Sequence, residues 1–279
     1  MHEHLEKSRF ALAKTFTPIL NSEQFEQIFG GKDGKSISVD AQGLLRSVET
    51  VAFPKTKFEL FESKNETIVR IKTADYPYGE NLFVDSRFLV SCSQNAPERI
   101  PTLPSPDLIL NKMRALLGLR YFWGGNCLGL FEMLQFYPPK VTFGSLDEIT
   151  LRNWTFQGVD CSGLIYLASQ GTTPRNTSSW ISYGEEVDIE GKTLSQILDA
   201  IQPLDAVVWP GHIFFIESQS HTIESLGGKG VVSTEMHSRF HELVEIKGFL
   251  AKNQIDKKSS EKQFVIRRWH PQLTSLSRT

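Results

Sequence analysis

One segment of the chain places a cysteine at the start of an apolar-faced helix: Gly158-Val159-Asp160-Cys161-Ser162-Gly163-Leu164-Ile165-Tyr166-Leu167-Ala168. Asp160 is a favourable N-cap residue, and the apolar residues after Gly163 recur at helical spacing. Cys161 would lie in the first turn, where unpaired backbone amides and the positive end of the helix dipole stabilise a thiolate. The same amides could bind the oxyanion of a tetrahedral intermediate. The alternative is an inert buried cysteine.

A histidine opens an apolar strand after a Pro-Gly turn, in Trp209-Pro210-Gly211-His212-Ile213-Phe214-Phe215-Ile216. A neutral imidazole there could accept the proton of the Cys161 thiol and later return it to a leaving amine. A third residue must orient that imidazole, and Glu224 on the next predicted strand is the candidate. His221 lies on the opposite face of that strand and is the competing choice. Each of these residues could instead be structural.

The pattern around this pair predicts an α+β fold. Helical spacing from Leu108 to Leu119, with Asp107 as the cap, predicts a helix that precedes the Cys161 helix. After Gly191, three short apolar runs predict consecutive strands over residues 205–209, 213–216 and 222–225. Helices followed by an antiparallel sheet are typical of the α+β class.

The region before this α+β part predicts a separate β-rich domain. Short alternating runs between Ile37 and about Val90 favour a small β-barrel. Residues 93–106 contain four prolines, which predicts a semi-rigid linker. The predicted division is an N-terminal extension over residues 1–34, a β-barrel domain over 35–92, the linker over 93–106 and a catalytic domain over 107–279.

Composition excludes several functional classes. The 279 residues carry a formal net charge of -2, which gives no field for holding nucleic acid or an anionic membrane. Residues 1–14 lack the pattern of a secretory signal, and no apolar stretch reaches the roughly 18 to 20 residues of a membrane span. We therefore expect a cytoplasmic protein. Three cysteines, scattered histidines and the lack of a Cys-x-x-Cys pair argue against a disulfide framework, a zinc site or a cofactor.

Four sequence blocks occur in order: Tyr121-Phe122-Trp123-Gly124-Gly125, Asp160-Cys161-Ser162-Gly163-Leu164, Pro174-Arg175-Asn176-Thr177-Ser178, and Gln202-Pro203-Leu204-Asp205 leading to Gly211-His212. Together they resemble the NlpC-type peptidases, papain-like enzymes that cut peptidoglycan stem peptides. The resemblance covers about residues 108–245, and the β-rich region 35–92 resembles the bacterial SH3-like domain that often precedes this catalytic domain. The fold that this resemblance implies packs helices on an antiparallel sheet.

The resemblance implies hydrolysis of the bond between γ-D-Glu and a diamino acid, meso-diaminopimelate or Lys, in peptidoglycan turnover or recycling. The stem peptide would need a free N-terminal L-Ala. Cys161 matches the nucleophile and His212 its base, whereas Glu224 stands where the family usually has His, sometimes Asn or Gln. Asp160 and Ser162 match the residues that hold the substrate's α-ammonium group.

Further substrate-binding residues come from the same resemblance. Tyr76 is the nearest match to a tyrosine that lines the ammonium pocket, with Tyr78 as the second choice, and Tyr121 matches a tyrosine near the nucleophile. Trp123 and Arg175 lie in the matched blocks and are predicted to bind substrate. Between the first two blocks, residues 131–156 form an aromatic-rich insertion that could wall the cleft or bind a partner. Alternative functions are a papain-like acyltransferase or amidase, and a non-catalytic wall-binding module.

Overall fold

The computed structural model describes residues 8–63, 66–259 and 261–274. Residues 1–7, which carry part of the signal-peptide prediction, lie outside this range. The strands are β1 (Phe10–Ala13), β2 (Thr17–Leu20), β3 (Phe29–Gly30), β4 (Ser36–Ile37), β5 (Val48–Ala52), β6 (Lys57–Ser63), β7 (Ile68–Lys72), β8 (Leu82–Asp85), β9 (Leu89–Cys92), β10 (Asn126–Cys127), β11 (Gly158–Val159), β12 (Glu185–Glu186), β13 (Ala206–Trp209), β14 (His212–Ile216), β15 (His221–Leu226), β16 (Gly230–Glu235), β17 (Leu250–Ala251) and β18 (Gln263–Arg268). The α-helices are α1 (Phe25–Ile28), α2 (Pro106–Arg114), α3 (Glu132–Phe136), α4 (Glu148–Trp154), α5 (Cys161–Ala168), α6 (Thr177–Trp180), α7 (Leu194–Ala200), α8 (Met236–His241) and α9 (Pro271–Thr274).

The described chain divides into two compact units. The first is formed by the described residues up to Pro101 together with Phe122–Asp160. The second is formed by Thr102–Tyr121 and the described residues from Cys161 onward. This division differs from the predicted domain bounds, because the segment Phe122–Asp160 packs with the N-terminal residues.

The first unit is built on an antiparallel sheet in the order β5-β2-β8-β7-β6-β1-β9. Two of these strands, β1 and β2, come from the segment that the sequence set apart as an extension. Strand β1 pairs with β6 and β9, and β2 pairs with β5 and β8, so this segment is part of the sheet. No pairing among the described strands joins β5 to β9, so the sheet is open and the SH3-like barrel stays a prediction.

Aromatic residues of the insertion over residues 131–156 fill the core of the first unit. Tyr137 and Phe156 pack on Phe29, with ring centroids 5.7 and 5.6 Å away, and Trp154 lies 6.4 Å from the same ring. The Trp154 indole N–H donates to the carbonyl oxygen of Tyr137 at 2.9 Å, so its polar atom is satisfied inside the core. Buried rings of this size contribute strongly to core stability, which explains why this segment packs with the N-terminal strands.

A buried polar network fixes the insertion to strand β8. The Tyr137 hydroxyl donates to Asp85 Oδ2 at 2.6 Å, and Arg87 Nη2 donates to the same oxygen at 2.6 Å. Burial and the neighbouring Asp85 carboxylate raise the pKa of Tyr137, so the hydroxyl stays protonated and remains a donor. Arg87 also donates to the carbonyl oxygen of Phe136 at 3.2 Å. The buried carboxylate is thus paired, which burial of a charge requires.

Gly124 is required where the chain passes close to strand β5. Its φ is +70°, and a Cβ there would lie 2.5 Å from the carbonyl oxygen of Val48. We expect Gly124→Ala to lower the free energy of unfolding by more than about 2 kcal/mol, because the left-handed backbone and the clash both add strain. Gly43, with φ +74° and no atom within 4 Å of its Cβ position, is the control, and Gly43→Ala carries only the backbone cost. Equal losses in urea unfolding of the two variants would contradict the close approach.

The second unit is built on a sheet in the order β12-β18-β13-β14-β15-β16, which is antiparallel throughout, with β17 added parallel to β18. Helix α5 packs on β14 and β15, and α8 packs on β15 and β16. The mixture of helices and antiparallel sheet confirms the α+β class. The prediction that Asp107 caps the first helix was wrong, because Ser105 Oγ accepts the Leu108 N–H and Pro106 begins α2.

Candidate active site

Cys161 is the first residue of α5. The helix begins there as the sequence predicts, and its residues are almost all buried, which fixes the helix start against the sheet. Cys161 is 7% exposed, and its Sγ lies 3.7 Å from the Thr177 hydroxyl at the start of α6. The sulfur is therefore held at a helix N-terminus and contacts a hydroxyl that the sequence analysis did not single out as a site residue.

His212 is held by a tight hairpin. Pro210 and Gly211 form the two-residue connection between β13 and β14, and Trp209 pairs directly with His212 across it. Gly211 has φ +94°, and Pro followed by a glycine of positive φ suits a type II turn. The imidazole Nε2 lies 2.7 Å from Glu224 Oε2 on β15, and the side chain is 16% exposed.

The Cys161 side chain lies near enough to the His212 ring to affect its protonation. Burial lowers the pKa of His212, but the hydrogen bonds and negative charges of Cys161 and Glu224 outweigh burial and raise it from 6.5 to about 9. Because Nε2 faces Glu224, Nδ1 is the nitrogen left for the sulfur. At neutral pH the ring is therefore an imidazolium between a sulfur and a carboxylate, which is the arrangement of an activated nucleophile.

Glu224 is a buried carboxylate with two cationic neighbours. Its side chain is 1% exposed, and Arg239 of α8 donates to it through Nε at 2.5 Å and Nη2 at 2.9 Å. Burial raises the pKa of Glu224, but the hydrogen bonds and charges of His212 and Arg239 hold it below its usual value. His221 is exposed and bonds Ser220 instead, so the geometry favours Glu224 as the orienting residue.

Arg239 was not predicted to belong to the site. The residue lies 15 positions after Glu224 on a separate helix, and nothing in its local pattern marks it. Chemistry alone indicates that such a residue exists, because a carboxylate buried beside an imidazole needs a cationic partner. An arginine on the following helix can supply that charge.

Two other predicted residues of the second unit contact each other. Arg175 is buried and its Nη1 donates to Ser162 Oγ at 3.1 Å. The same guanidinium lies 5.9 Å from the Tyr166 ring centroid. Tyr121 is half-buried. Ser162 is thus held by a buried cation one residue after Cys161, and the substrate roles of Ser162, Arg175 and Tyr121 stay predictions.

The remaining predicted residues belong to the first unit. The Tyr76 hydroxyl is buried and donates to Glu49 Oε2 at 2.5 Å. Trp123 is exposed, and the Arg46 guanidinium lies 3.9 Å from its ring centroid. Asp160 is buried, and its N–H donates to the carbonyl oxygen of Gly125 at 3.0 Å. Their roles in substrate binding stay predictions.

No protein-family model matches the chain, and no curated protein matches it. Among solved structures, it is similar to an NlpC/P60 family protein from Bacillus cereus, with 18% identity and a TM-score of 0.35 over 95% of this chain and 65% of that one. The chain thus spans less than two thirds of the length of that protein. NlpC1 and NlpC2 from Trichomonas vaginalis give 12% and 11% identity and TM-scores of 0.34 and 0.33. Each comparison covers 93% of this chain, with 68% and 72% of the other chains.

The described residues contain neither a membrane-spanning helix nor a metal-ligand cluster. Within residues 8–63, 66–259 and 261–274, no helix has the length and apolar character needed to cross a membrane. Over the same residues, no three His, Cys, Asp or Glu side chains converge as ligands for a metal ion.

Proposed function

We propose that the chain is a papain-like cysteine peptidase of the NlpC type that hydrolyses the γ-D-glutamyl–diamino acid bond of peptidoglycan stem peptides. The observation that carries the proposal is the position of His212, whose Nε2 bonds Glu224 and whose ring lies near enough to Cys161 for that residue to raise its pKa. Covalent acyl transfer requires a nucleophile, a base and a group that orients the base, and we assign these roles to Cys161, His212 and Glu224.

In the proposed acylation step, the Cys161 thiolate attacks the γ-carbonyl carbon of D-Glu. A C–S bond forms while the carbonyl electron pair moves to the oxygen, and the backbone amides at the start of α5 stabilise the oxyanion. Collapse of this intermediate breaks the C–N bond. The His212 imidazolium gives its proton to the leaving amine, which departs as the diamino acid, and a thioester remains on Cys161.

Deacylation uses the same residues in reverse. His212, now neutral, removes a proton from a water molecule, whose oxygen attacks the thioester carbonyl carbon. The C–S bond breaks, the dipeptide L-Ala-D-Glu leaves as the acid, and the thiolate–imidazolium pair is restored. Glu224 keeps Nε2 of the ring oriented throughout, so that Nδ1 faces the sulfur at both steps.

The substrate specificity is part of the same proposal and rests on the resemblance. Asp160 and Ser162, on either side of Cys161 in the sequence, would hold the α-ammonium of a free N-terminal L-Ala, because a buried cation requires a carboxylate partner. Tyr76 would line the same ammonium pocket, Tyr121 would lie near the nucleophile, and Trp123 and Arg175 would bind substrate. Residues 35–92 would form an SH3-like domain, and the enzyme would act on recycled muropeptides in the cytoplasm.

Mass spectrometry of defined peptides tests the proposal. The wild type is expected to release L-Ala-D-Glu from L-Ala-γ-D-Glu-meso-diaminopimelate, and to leave the N-acetylated tripeptide intact because an acetylated amine carries no charge. The tripeptide with an α-linked Glu is the matched control for the bond and should stay uncut. Failure to cut the free γ-linked tripeptide would overturn the proposed substrate. An amide product formed only with an added amine would assign acyl transfer instead.

A further inference from the structure

We infer that Arg239 is a positioning residue that keeps Glu224 ionised beside His212 and so sustains the thiolate–imidazolium pair at acid pH. The inference deepens the proposed function and rests on its Cys161–His212 pair. It concerns a residue that none of the four sequence blocks contains and that touches neither sulfur nor imidazole in the contacts described above.

Arg239 makes its shortest hydrogen bonds to the orienting carboxylate. Its Nε and Nη2 donate to the two different oxygens of Glu224, the bidentate pairing that only a guanidinium provides. Glu224 Oε2 receives both Arg239 Nη2 and the bond from His212 Nε2. The arginine therefore fixes the plane of the carboxylate, and the carboxylate fixes the imidazole.

Aromatic rings hold the guanidinium in place. Its Cζ lies 4.8 Å from the Phe214 ring centroid and 5.8 Å from that of Trp209. Phe214 follows His212 by two residues on β14, and Trp209 pairs with His212 across the hairpin. The strands that present the imidazole thus also hold the arginine, at 3% exposure, where water gives little screening.

The charges near Glu224 balance only with Arg239 present. The groups that face it are His212 from β14 and Arg239 from α8, with Cys161 from α5 beyond the imidazole and Glu242 at 3.5 Å on the outer side of the arginine. When Cys161 is a thiolate and His212 an imidazolium, the formal charges of Cys161, His212, Glu224 and Arg239 sum to zero. Removing the arginine leaves a net negative charge in a buried site, which Glu224 can relieve by taking up a proton.

Protonation of Glu224 would affect the nucleophile. A neutral carboxylic acid no longer stabilises the imidazolium, so His212 loses its proton more readily and the ion pair with Cys161 gives way to the neutral thiol. A neutral thiol is a poor nucleophile. Loss of Arg239 should therefore weaken the enzyme at acid pH first.

The rate of Cys161 alkylation by iodoacetamide, measured from pH 4 to 10 with the modified residue identified by mass spectrometry, tests this without any peptide substrate. In Arg239→Gln we expect the acid limb of the profile to move up by roughly one pH unit or more, the range for loss of an opposite charge. Arg239→Lys keeps the positive charge without the bidentate geometry, so its acid limb should lie closer to that of the wild type than the limb of Arg239→Gln does. The double variant Glu224→Gln/Arg239→Gln should be more stable than Arg239→Gln, since no charge is left unpaired.

The chain offers a matched control in Arg268. Its Nε and Nη2 donate to the two oxygens of buried Asp205 at 3.0 and 2.7 Å, the same bidentate pairing in the same unit. Arg268→Gln should lower stability to a similar degree and leave the acid limb in place. This control separates a general loss of a buried ion pair from a specific effect on the Cys161–His212 pair.

Coincident acid limbs for folded Arg239→Gln and the wild type would overturn the inference, as would an equal shift in Arg268→Gln. If Arg239→Gln fails to fold, Arg239→Lys takes its place, with a smaller shift in the same direction expected and no shift counting against the inference. A shift of the alkylation profile in a protein that leaves the tripeptide uncut would sustain the inference and refute the proposed substrate.

Discussion

Cys161→Ala is expected to lower kcat/KM for hydrolysis of L-Ala-γ-D-Glu-meso-diaminopimelate by about 10⁴-fold or more, the scale for removal of a covalent nucleophile. The sulfur forms the acyl bond in the proposed mechanism. The Thr177 hydroxyl at 3.7 Å is an unactivated alcohol. Release of L-Ala-D-Glu, followed by mass spectrometry at equal folded protein, measures the effect.

The other two cysteines provide the control for this prediction. Cys92 lies on an edge strand of the first unit, and Cys127 is buried there with its thiol bonded to the carbonyl oxygen of Phe156. Burial raises the pKa of Cys127 to about 12, so it does not form a thiolate at neutral pH. Cys92→Ala should keep full activity. If the Cys161→Ala variant still cleaves the peptide, Cys161 is not the nucleophile.

Glu224→Ala is expected to lower the free energy of unfolding by about 3–5 kcal/mol, the cost of breaking a buried ion pair on one side. The substitution leaves the Arg239 guanidinium, 3% exposed, without its bidentate carboxylate. It also removes the partner of His212 Nε2, so peptide hydrolysis should fall in the same variant. Urea unfolding at pH 7, with the slope checked for constancy, measures the stability term.

Glu242→Ala is the matched control for Glu224→Ala. Glu242 also contacts Arg239, at 3.5 Å, but its side chain is 42% exposed, and an exposed ion pair contributes less than about 1 kcal/mol. The two carboxylates thus differ in burial while sharing one arginine. Similar small losses in both variants would mean that the Glu224–Arg239 pair is solvated and would refute the buried-charge argument.

Local sequence patterns predicted the elements that carry the candidate site. Cys161 begins α5, His212 begins β14, and Glu224 lies on β15, because helix caps, a Pro-Gly turn and strand alternation are encoded over a few neighbouring residues. Strand alternation supported the choice of Glu224 over His221, and the orienting role of Glu224 stays a prediction. The start of the helix before Cys161 was predicted too late in the chain, because Ser105 as the N-cap with Pro106 as the first helical residue is a more favourable helix start than Asp107 as the cap.

Contacts between distant residues could not be predicted. Arg239 reaches Glu224 from another element, and no local pattern records that pairing. The aromatic insertion was predicted to wall the cleft or bind a partner, because the residues it packs on, Phe25 and Phe29, lie more than a hundred residues earlier. The strands over residues 10–20 are short, and only pairing with later strands makes them part of the sheet.

The packing of Trp180 and Leu204 could not be predicted from neighbouring residues either. Trp180 is buried, with ring centroids 5.5 Å from both Phe215 and Trp269. Leu204 has a φ of +71°, a conformation that favours glycine. Its buried side chain and the bond from its N–H to the carbonyl oxygen of Ile216 hold the backbone there.

The interleaved make-up of the first unit has a consequence for biosynthesis. Its core combines residues near position 25 with Trp154 and Phe156, and the ribosome delivers these groups more than a hundred residues apart. The N-terminal strands must wait in an incomplete state, with apolar surface uncovered, until residue 160 has emerged from the exit tunnel. A polypeptide terminated near Pro101 would therefore expose Phe25 and Phe29. We expect a holdase chaperone to bind this exposed apolar surface.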